Sequence, residues 1–214
     1  MLYTYSTEHL TLKILCEDDA PIITEFFLQN REYFSRWESG HPEEYYTEPY
    51  QRQVLSAEST QFLRSQAVRY YLFLPDLELP VGTVCFQHIR PMPEASCQLG
   101  YRLDQSYTGK GYMTEALTCL IPKIFFFYRL HRMEANILPE NTKSIQLVKR
   151  LGFTSEGTAR EFFFCGGKFR DYNRYSLLST DMFPRAFRKA NPISPAVPLL
   201  KSNFHIPIPE DPSI

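Results

Sequence analysis

The sequence predicts a mixed α/β domain, with strands and helices interleaved along one chain. Three observations carry that prediction. Segments of β-branched and aromatic character pair as hairpins, at residues 70–74 with 81–89 and at 154–165 with 169–178, each joined by turn-forming residues. Between them, Met113, Ala116, Leu117, Leu120, Ile121 and Ile124 recur at helical spacing. A length of 214 residues with 43% hydrophobic and 22% charged side chains suits one hydrophobic core.

Taken in order, Leu10, Leu12 and Ile14 alternate as in a half-buried first strand. Asp18 or Asp19 can then cap a helix that has Pro21 in its first turn and Ile22, Ile23, Phe26 and Phe27 on one side. A Tyr- and Pro-rich stretch over 37–49 leads to a second helix, expected over 51–68. The first hairpin follows and ends at Pro91 and Pro93, before a strand over 97–103. The long helix of 112–128 contains Pro122, which deletes a backbone hydrogen bond and predicts a kink. A strand at 132–138, a helix at 142–151 closed by Gly152, and the second hairpin, turning at Gly166-Gly167, complete a domain expected over 1–183. Seven prolines fall beyond Met182 without helical or strand periodicity, so 184–214 reads as a Pro-rich extension.

A formal net charge of −1 lacks the cationic field of a bulk nucleic-acid binder, so no direct nucleic-acid partner is expected. No apolar run approaches the ~20 residues that cross a bilayer, and the first residues lack signal-peptide character. The expectation is a cytoplasmic protein without a membrane partner. Five dispersed cysteines, with no CxxC pair and no histidine at ligand spacing, read as reduced thiols and predict no metal.

Seven of the nine glycines lie between Gly100 and Gly167. There a strand ending at Leu103 runs through Ser106-Tyr107-Thr108-Gly109-Lys110-Gly111 into the helix that begins Tyr112-Met113-Thr114-Glu115. A Gly-x-Gly turn before a helix offers free backbone N–H groups at the positive end of the helix dipole, which is an anion site. It is not a P-loop, because Gly-Lys-Ser/Thr is missing at the helix start, and it fits a dinucleotide fingerprint poorly. The remaining candidate is the pyrophosphate loop of an acyl-coenzyme A binder.

This region resembles the GNAT superfamily of N-acetyltransferases, and within it the branch that acetylates the N-terminal alanine or serine of ribosomal proteins. The superfamily loop is Gln/Arg-x-x-Gly-x-Gly/Ala; Ser106 departs from its first position, which removes one supporting side chain and leaves the main-chain cradle. Asn30-Arg31-Glu32-Tyr33-Phe34 with Trp37, the run from His131 to Asn141, and Ser144 ahead of Arg150-Leu151-Gly152-Phe153 extend the resemblance to about Phe183. It implies the GNAT fold, a central mixed and mostly antiparallel sheet flanked by helices, with acetyl-CoA as cosubstrate and no metal. It also implies an acceptor amine at a protein N-terminus, plausibly of a ribosomal protein, and direct attack in a ternary complex. The alternatives are a small-molecule amine acceptor or a non-catalytic coenzyme A-binding module. Whether the chain is a monomer or a dimer is left open.

By the same resemblance, the backbone near Leu103 holds the pantetheine arm. The main chain of Thr108, Gly109, Lys110, Gly111, Tyr112, Met113 and Thr114 holds the pyrophosphate. Asn141 and Ser144 face the coenzyme, with Ser144 donating to the leaving sulfur; both are also what a helix N-cap and its third position require. The position aligned with the family's glutamate base is Phe163, which takes no proton, so Glu161 is the candidate catalytic base. An α-amine, with pKa about 7.7–8.0, is partly neutral near pH 7, and a water relay can replace a base. Asn30, Arg31 and Trp37 are placed on the acceptor wall, Trp37 reading first as packing, and Tyr5, Tyr33, Tyr45, Tyr46 and Tyr50 are candidates to line a peptide groove. No histidine shows a base or metal partner.

Overall fold

Leu12 is fully buried between the half-exposed Thr11 and the exposed Lys13, the alternation of a strand with one face on a core. The alternation predicts one strand here and the structure has two. Thr7 reverses the chain between them, its amide bonding the Leu10 carbonyl at 2.8 Å and its hydroxyl accepting from the Leu10 amide at 3.1 Å. The computed structural model describes residues 1–183; the extension expected over 184–214 lies outside them.

The strands are β1 (Thr4–Ser6), β2 (Thr11–Lys13), β3 (Val68–Phe73), β4 (Gly82–Arg90), β5 (Ser96–Leu103), β6 (Arg132–Ile137), β7 (Thr154–Cys165) and β8 (Lys168–Leu178). They form a sheet in the order β1-β2-β3-β4-β5-β6-β8-β7, antiparallel at every pairing except β5 with β6. The expected mixed, mostly antiparallel sheet is therefore present. Parallel neighbours need a crossover, and α3 (Tyr112–Tyr128) supplies it. The helix runs unbroken through Pro122 and buries Met113, Ala116, Leu117, Leu120, Ile121 and Ile124.

The first two helices are α1 (Ala20–Phe34) and α2 (Glu48–Leu63). The second starts three residues before the expected position because Thr47 stands at its cap with Pro49 in the first turn, and it ends early where Ser65 takes a positive φ of 56°. Phe26, Phe27, Phe34, Tyr45 and Leu55 pack with Tyr71 and Phe73 of β3 into one core beneath these helices. α4 (Thr142–Arg150) follows β6, and a single turn (Ser179–Met182) follows β8.

Register assigns the two faces of the sheet. Tyr71, Thr83 and Arg102 are cross-strand partners and share a face. That face is covered by α1 and α2, as the Arg102 guanidinium lying 5.3 Å from the Phe27 ring centre shows. Tyr70, Val84 and Tyr101 share the opposite face. By the same pairing, Gln98, Gly100, Glu134, Asn136, Arg174 and Ser176 belong with Arg102 on the α1–α2 face.

Ion pairs knit that face beyond the helices. The Arg132 guanidinium grips Glu156 at 2.8 Å, and with the Ser176 hydroxyl it pulls the Glu156 carboxyl down to about 2, against the opposing effect of burial. A depressed carboxyl stabilises the fold above its unfolded pKa and loses that contribution as pH falls through the folded value. The stability lost in Glu156→Gln should therefore be full above about pH 4.5 and vanish toward pH 2. Urea midpoints at pH 6, 4 and 3 measure it, and a gap independent of pH contradicts the assignment.

Candidate active site

β5 and β6 pair at Ser96, Cys97 and Gln98 with Arg132, Met133 and Glu134, and no further. Beyond that point β5 stays bonded to β4 as far as Leu103, while β6 stays bonded to β8 as far as Ile137. The sheet thus splits into a wedge in its middle. A strand paired on one side only keeps half of its N–H and C=O groups free, so the Leu99–Leu103 stretch lines one side of the wedge with available backbone.

The tip of β5 is fixed by Asp104. Its carboxylate accepts the Ser106 amide at 2.7 Å and the Asn30 side-chain amide at 3.1 Å, while Asn30, 3% exposed, also donates to the Phe26 carbonyl. Asn30 is thus a buried tie between α1 and the strand end. The chain then turns through Gly109 and Gly111, at φ of 81° and 89°, into α3. A Cβ at either glycine would meet nothing within 4 Å, so the turn faces open space. The first helical bond runs from the Glu115 amide to the Gly111 carbonyl, which leaves the amides of Tyr112, Met113 and Thr114 without intrahelical acceptors. Gly111 at the cap has no side chain to bond them. These amides and the open glycine turn fit a pyrophosphate. Lys110 adds a cation, its ammonium 4.8 Å from the Tyr107 ring centre.

The start of α3 is clasped from the N-terminal hairpin. Glu115 accepts from the Thr7 hydroxyl at 2.5 Å, the His9 amide at 2.8 Å and the His9 ring at 2.9 Å. Burial raises the Glu115 carboxyl, and these bonds outweigh it and hold it below its usual value. This histidine–carboxylate contact joins residues 106 positions apart, and no local pattern announced it.

On the face opposite α1 and α2, Tyr101 reaches α4: its hydroxyl donates to the Ser144 carbonyl at 3.3 Å. Burial pushes the phenol up to about 12, partly offset by a hydrogen bond with the Ser144 side chain. Asn141 caps α4, its side-chain oxygen accepting the Ser144 amide at 3.2 Å. Capping therefore fixes the backbone at Ser144, next to the Tyr101 hydroxyl of β5.

On the α1–α2 face the wedge is bordered by the segment between those helices. Trp37 packs on Leu138, Cys165 and Tyr172. Arg31 pairs with Glu43 at 2.8 Å and stacks on Tyr46 at 4.5 Å, pinning the segment to α1. Glu38 accepts from Arg102 at 3.0 Å and lies 3.8 Å from His41, whose ring stacks on Tyr45 at 3.8 Å and 9°. Burial raises the Glu38 carboxyl, and His41 and Arg102 together bring it below its usual value. This Glu38–Arg102–His41 group escaped the sequence reading, which found no partner for any histidine. Of the tyrosines, Tyr33 lines a pocket with Asn30, Asp104 and Ser106, Tyr45 is buried in the α1–α2 core with Tyr46 and Tyr50 packed against it, and Tyr5 sits beside Tyr70 near the far edge of the sheet.

Glu161 is exposed on β7, the outer strand, inside a bulge and at φ 47°, with its amide bound to Asp171 at 2.8 Å. β8 stands between it and β6. No hydrogen bond or ion pair joins it to Ser144 or to the wedge among the described residues. Neither a disulfide nor a group of three metal-ligating side chains occurs among those residues, and no helix of theirs is long and apolar enough to cross a membrane.

Residues 9–154 match the family model described as an acetyltransferase (GNAT) domain. The chain is 30% identical over 181 residues to the ribosomal protein uS5-alanine N-acetyltransferase of Escherichia coli K12, covering 84% of this chain and 92% of that protein. It is 25% identical over 170 residues to the ribosomal-protein-serine acetyltransferase of the same organism, covering 79% and 93%. Among solved structures, the ribosomal-protein-S5-alanine acetyltransferase of Vibrio fischeri superposes with a TM-score of 0.80 at 28% identity, covering 85% of this chain and 99% of that one.

Proposed function

Because the chain belongs to the GNAT acetyltransferase family, we propose that it moves the acetyl group of acetyl-coenzyme A onto the α-amine of a protein N-terminus, that of a ribosomal protein, by direct attack in a ternary complex. The observation that carries this reading is the wedge itself. It joins an anion cradle at one end to a hydroxyl pair on one face and a polar floor on the other. The acceptor class rests on the similarity to enzymes named for ribosomal-protein alanine and serine.

In this reading the main chain from Thr108 to Thr114 holds the pyrophosphate, Lys110 adds charge, and free backbone near Leu103 aligns the pantetheine arm and polarises the thioester carbonyl. Bound there, acetyl-coenzyme A supplies an activated acyl group. Ser144, held by the Asn141 cap and hydrogen-bonded with Tyr101, donates to the departing sulfur. Asn30, Arg31 and Trp37 build the acceptor wall by fixing α1 and the segment after it, rather than by presenting free polar groups. The exposed place of Glu161 on the outer strand suits a route for the amine proton through water.

Ser144→Ala should lower kcat at least about tenfold while the dissociation constant for coenzyme A changes less than about threefold. An unchanged kcat would leave Ser144 a capping position only. The acceptor is tested by thiol release from acetyl-coenzyme A with peptides bearing ribosomal N-termini and with free amino acids, polyamines and aminoglycosides. Turnover with peptides alone is expected; turnover confined to small amines sinks the acceptor assignment. Coenzyme binding with no turnover on either panel returns the chain to a binding module.

A further inference from the structure

On the α1–α2 face the wedge has two buried polar atoms without a hydrogen-bond partner: His41 Nε2, which faces Glu38 at 3.8 Å, and an atom of the floor itself. The side-chain oxygen of Asn136 is inaccessible and makes no hydrogen bond. Asn136 is two residues beyond Glu134, the last β6 residue bonded to β5, and Gly100 is two residues beyond its partner Gln98. The two therefore face each other where the gap begins to open. Opposite the carboxamide is a residue without a side chain, and a Cβ there would find nothing within 4 Å. A buried acceptor left unpaired costs about 1–3 kcal/mol, so this oxygen awaits a donor.

The charged groups around it are committed. Arg102 on β5 is bound to Glu38, which also has His41 beside it. Glu134 on β6 holds Arg132 at 2.7 Å and Arg174 of β8 at 3.4 Å. Arg132 also holds Glu156 of β7, and His88 on β4 bonds Gln98 at 3.0 Å. Glu38, Glu134 and Glu156 are thus each matched to a guanidinium, and Asp104 at the tip of β5 is taken up by the Ser106 amide and Asn30.

We propose that Asn136 is the amine-binding group of the acceptor site, and that with its neutral carboxamide oxygen the site takes the acceptor as free amine, not as ammonium. The inference rests on the acetyl-transfer reading and adds to it the form of the amine. One N–H of the amine bonds Asn136, which turns the nitrogen lone pair toward the thioester carbon. The C–N bond forms, the C–S bond breaks, the amine's surplus proton leaves through water, and the sulfur takes up a proton to give the free thiol. Selection of neutral amine is selection of α-amines over lysine side chains. With pKa values of about 7.8 and 10.4, their neutral fractions differ roughly 300-fold at pH 7 and roughly 25-fold at pH 9.

The test uses a tetrapeptide with a free N-terminal alanine and no lysine, and its Nα-acetylated counterpart with one lysine. For the native protein, kcat/KM should rise roughly sevenfold for the alanine peptide and roughly 100-fold for the lysine peptide from pH 7 to pH 9, which are the changes in their neutral fractions. A kcat/KM for the alanine peptide that falls over this range, as its ammonium fraction does, overturns the proposal. Calorimetry of the alanine peptide into protein saturated with coenzyme A should show at least about fivefold weaker binding for Asn136→Leu and Asn136→Ala, with coenzyme affinity within twofold. Asn136→Leu removes the unpaired oxygen and should also raise Tm, a change that a merely structural asparagine would not give. Unchanged peptide affinity, or a lowered Tm for Asn136→Leu with peptide affinity retained, overturns it. Native protein that acetylates neither peptide but a small amine removes only the acceptor class. Native protein that acetylates no amine removes the acetyl-transfer reading and this inference together.

Discussion

Gly109→Val is expected to weaken coenzyme A binding at least about 30-fold while leaving Tm within a few degrees. Gly109 sits at φ 81°, a conformation that strains a β-branched residue by about 1–3 kcal/mol. The strain can be relieved only by rotating the amides that the turn presents to an anion, and about 2 kcal/mol lost from binding is the 30-fold change. The added side chain projects into open space, so it displaces no core atom and the rest of the domain is spared. Titration calorimetry and a thermal melt of the same preparation separate the two effects. Undiminished affinity would remove the phosphate-loop assignment, and a collapse of Tm would make the glycine a folding residue first.

Arg102→Ala should cost about 2 kcal/mol of stability, a fall in Tm of about 4–8 °C. Arg102 and Glu38 are only 22% and 25% exposed, so deleting the guanidinium leaves a largely desolvated carboxylate facing His41 alone. The pH dependence follows from the sign of the Glu38 shift. Its carboxyl is held below the usual value, so the stabilisation is complete above the unfolded pKa and is lost as pH falls through the folded one. The gap between native and Arg102→Ala should therefore be widest near neutrality and narrow below about pH 4. An unchanged Tm at pH 7 would mean that the segment from Trp37 to Tyr45 is held by packing alone.

The parts of the site that the sequence made legible are those whose backbone conformation is itself encoded. Gly109 and Gly111 mark a turn only glycine enters readily, and Asn141 three residues ahead of Ser144 writes a helix start into the chain. Long periodic elements such as α3 were placed to the residue for the same reason. What stayed hidden depends on contacts between distant positions. Arg102 and Glu38 meet across 64 positions, and Glu38 lies in polar sequence with no periodicity to single it out. The vacancy beside Asn136 is a property of strand divergence, which follows from where pairing stops and not from any residue type. β1 has three residues and no apolar alternation to register, and is defined by the turn at Thr7 instead.

The clasp on Glu115 has a consequence for assembly of the chain. β1 through β5 pair in sequence order, each with its predecessor, so that half of the sheet can form as a growing polypeptide supplies it. The Thr7–Glu115 contact spans 108 positions, and the wedge needs β6, which β8 flanks from beyond residue 167. The β1–β2 hairpin thus waits for the helix it secures, and β6 gains its second neighbour only when β8 arrives. A nascent chain stopped before β8 would hold the amino-terminal meander without the strand that braces β6 along its whole length.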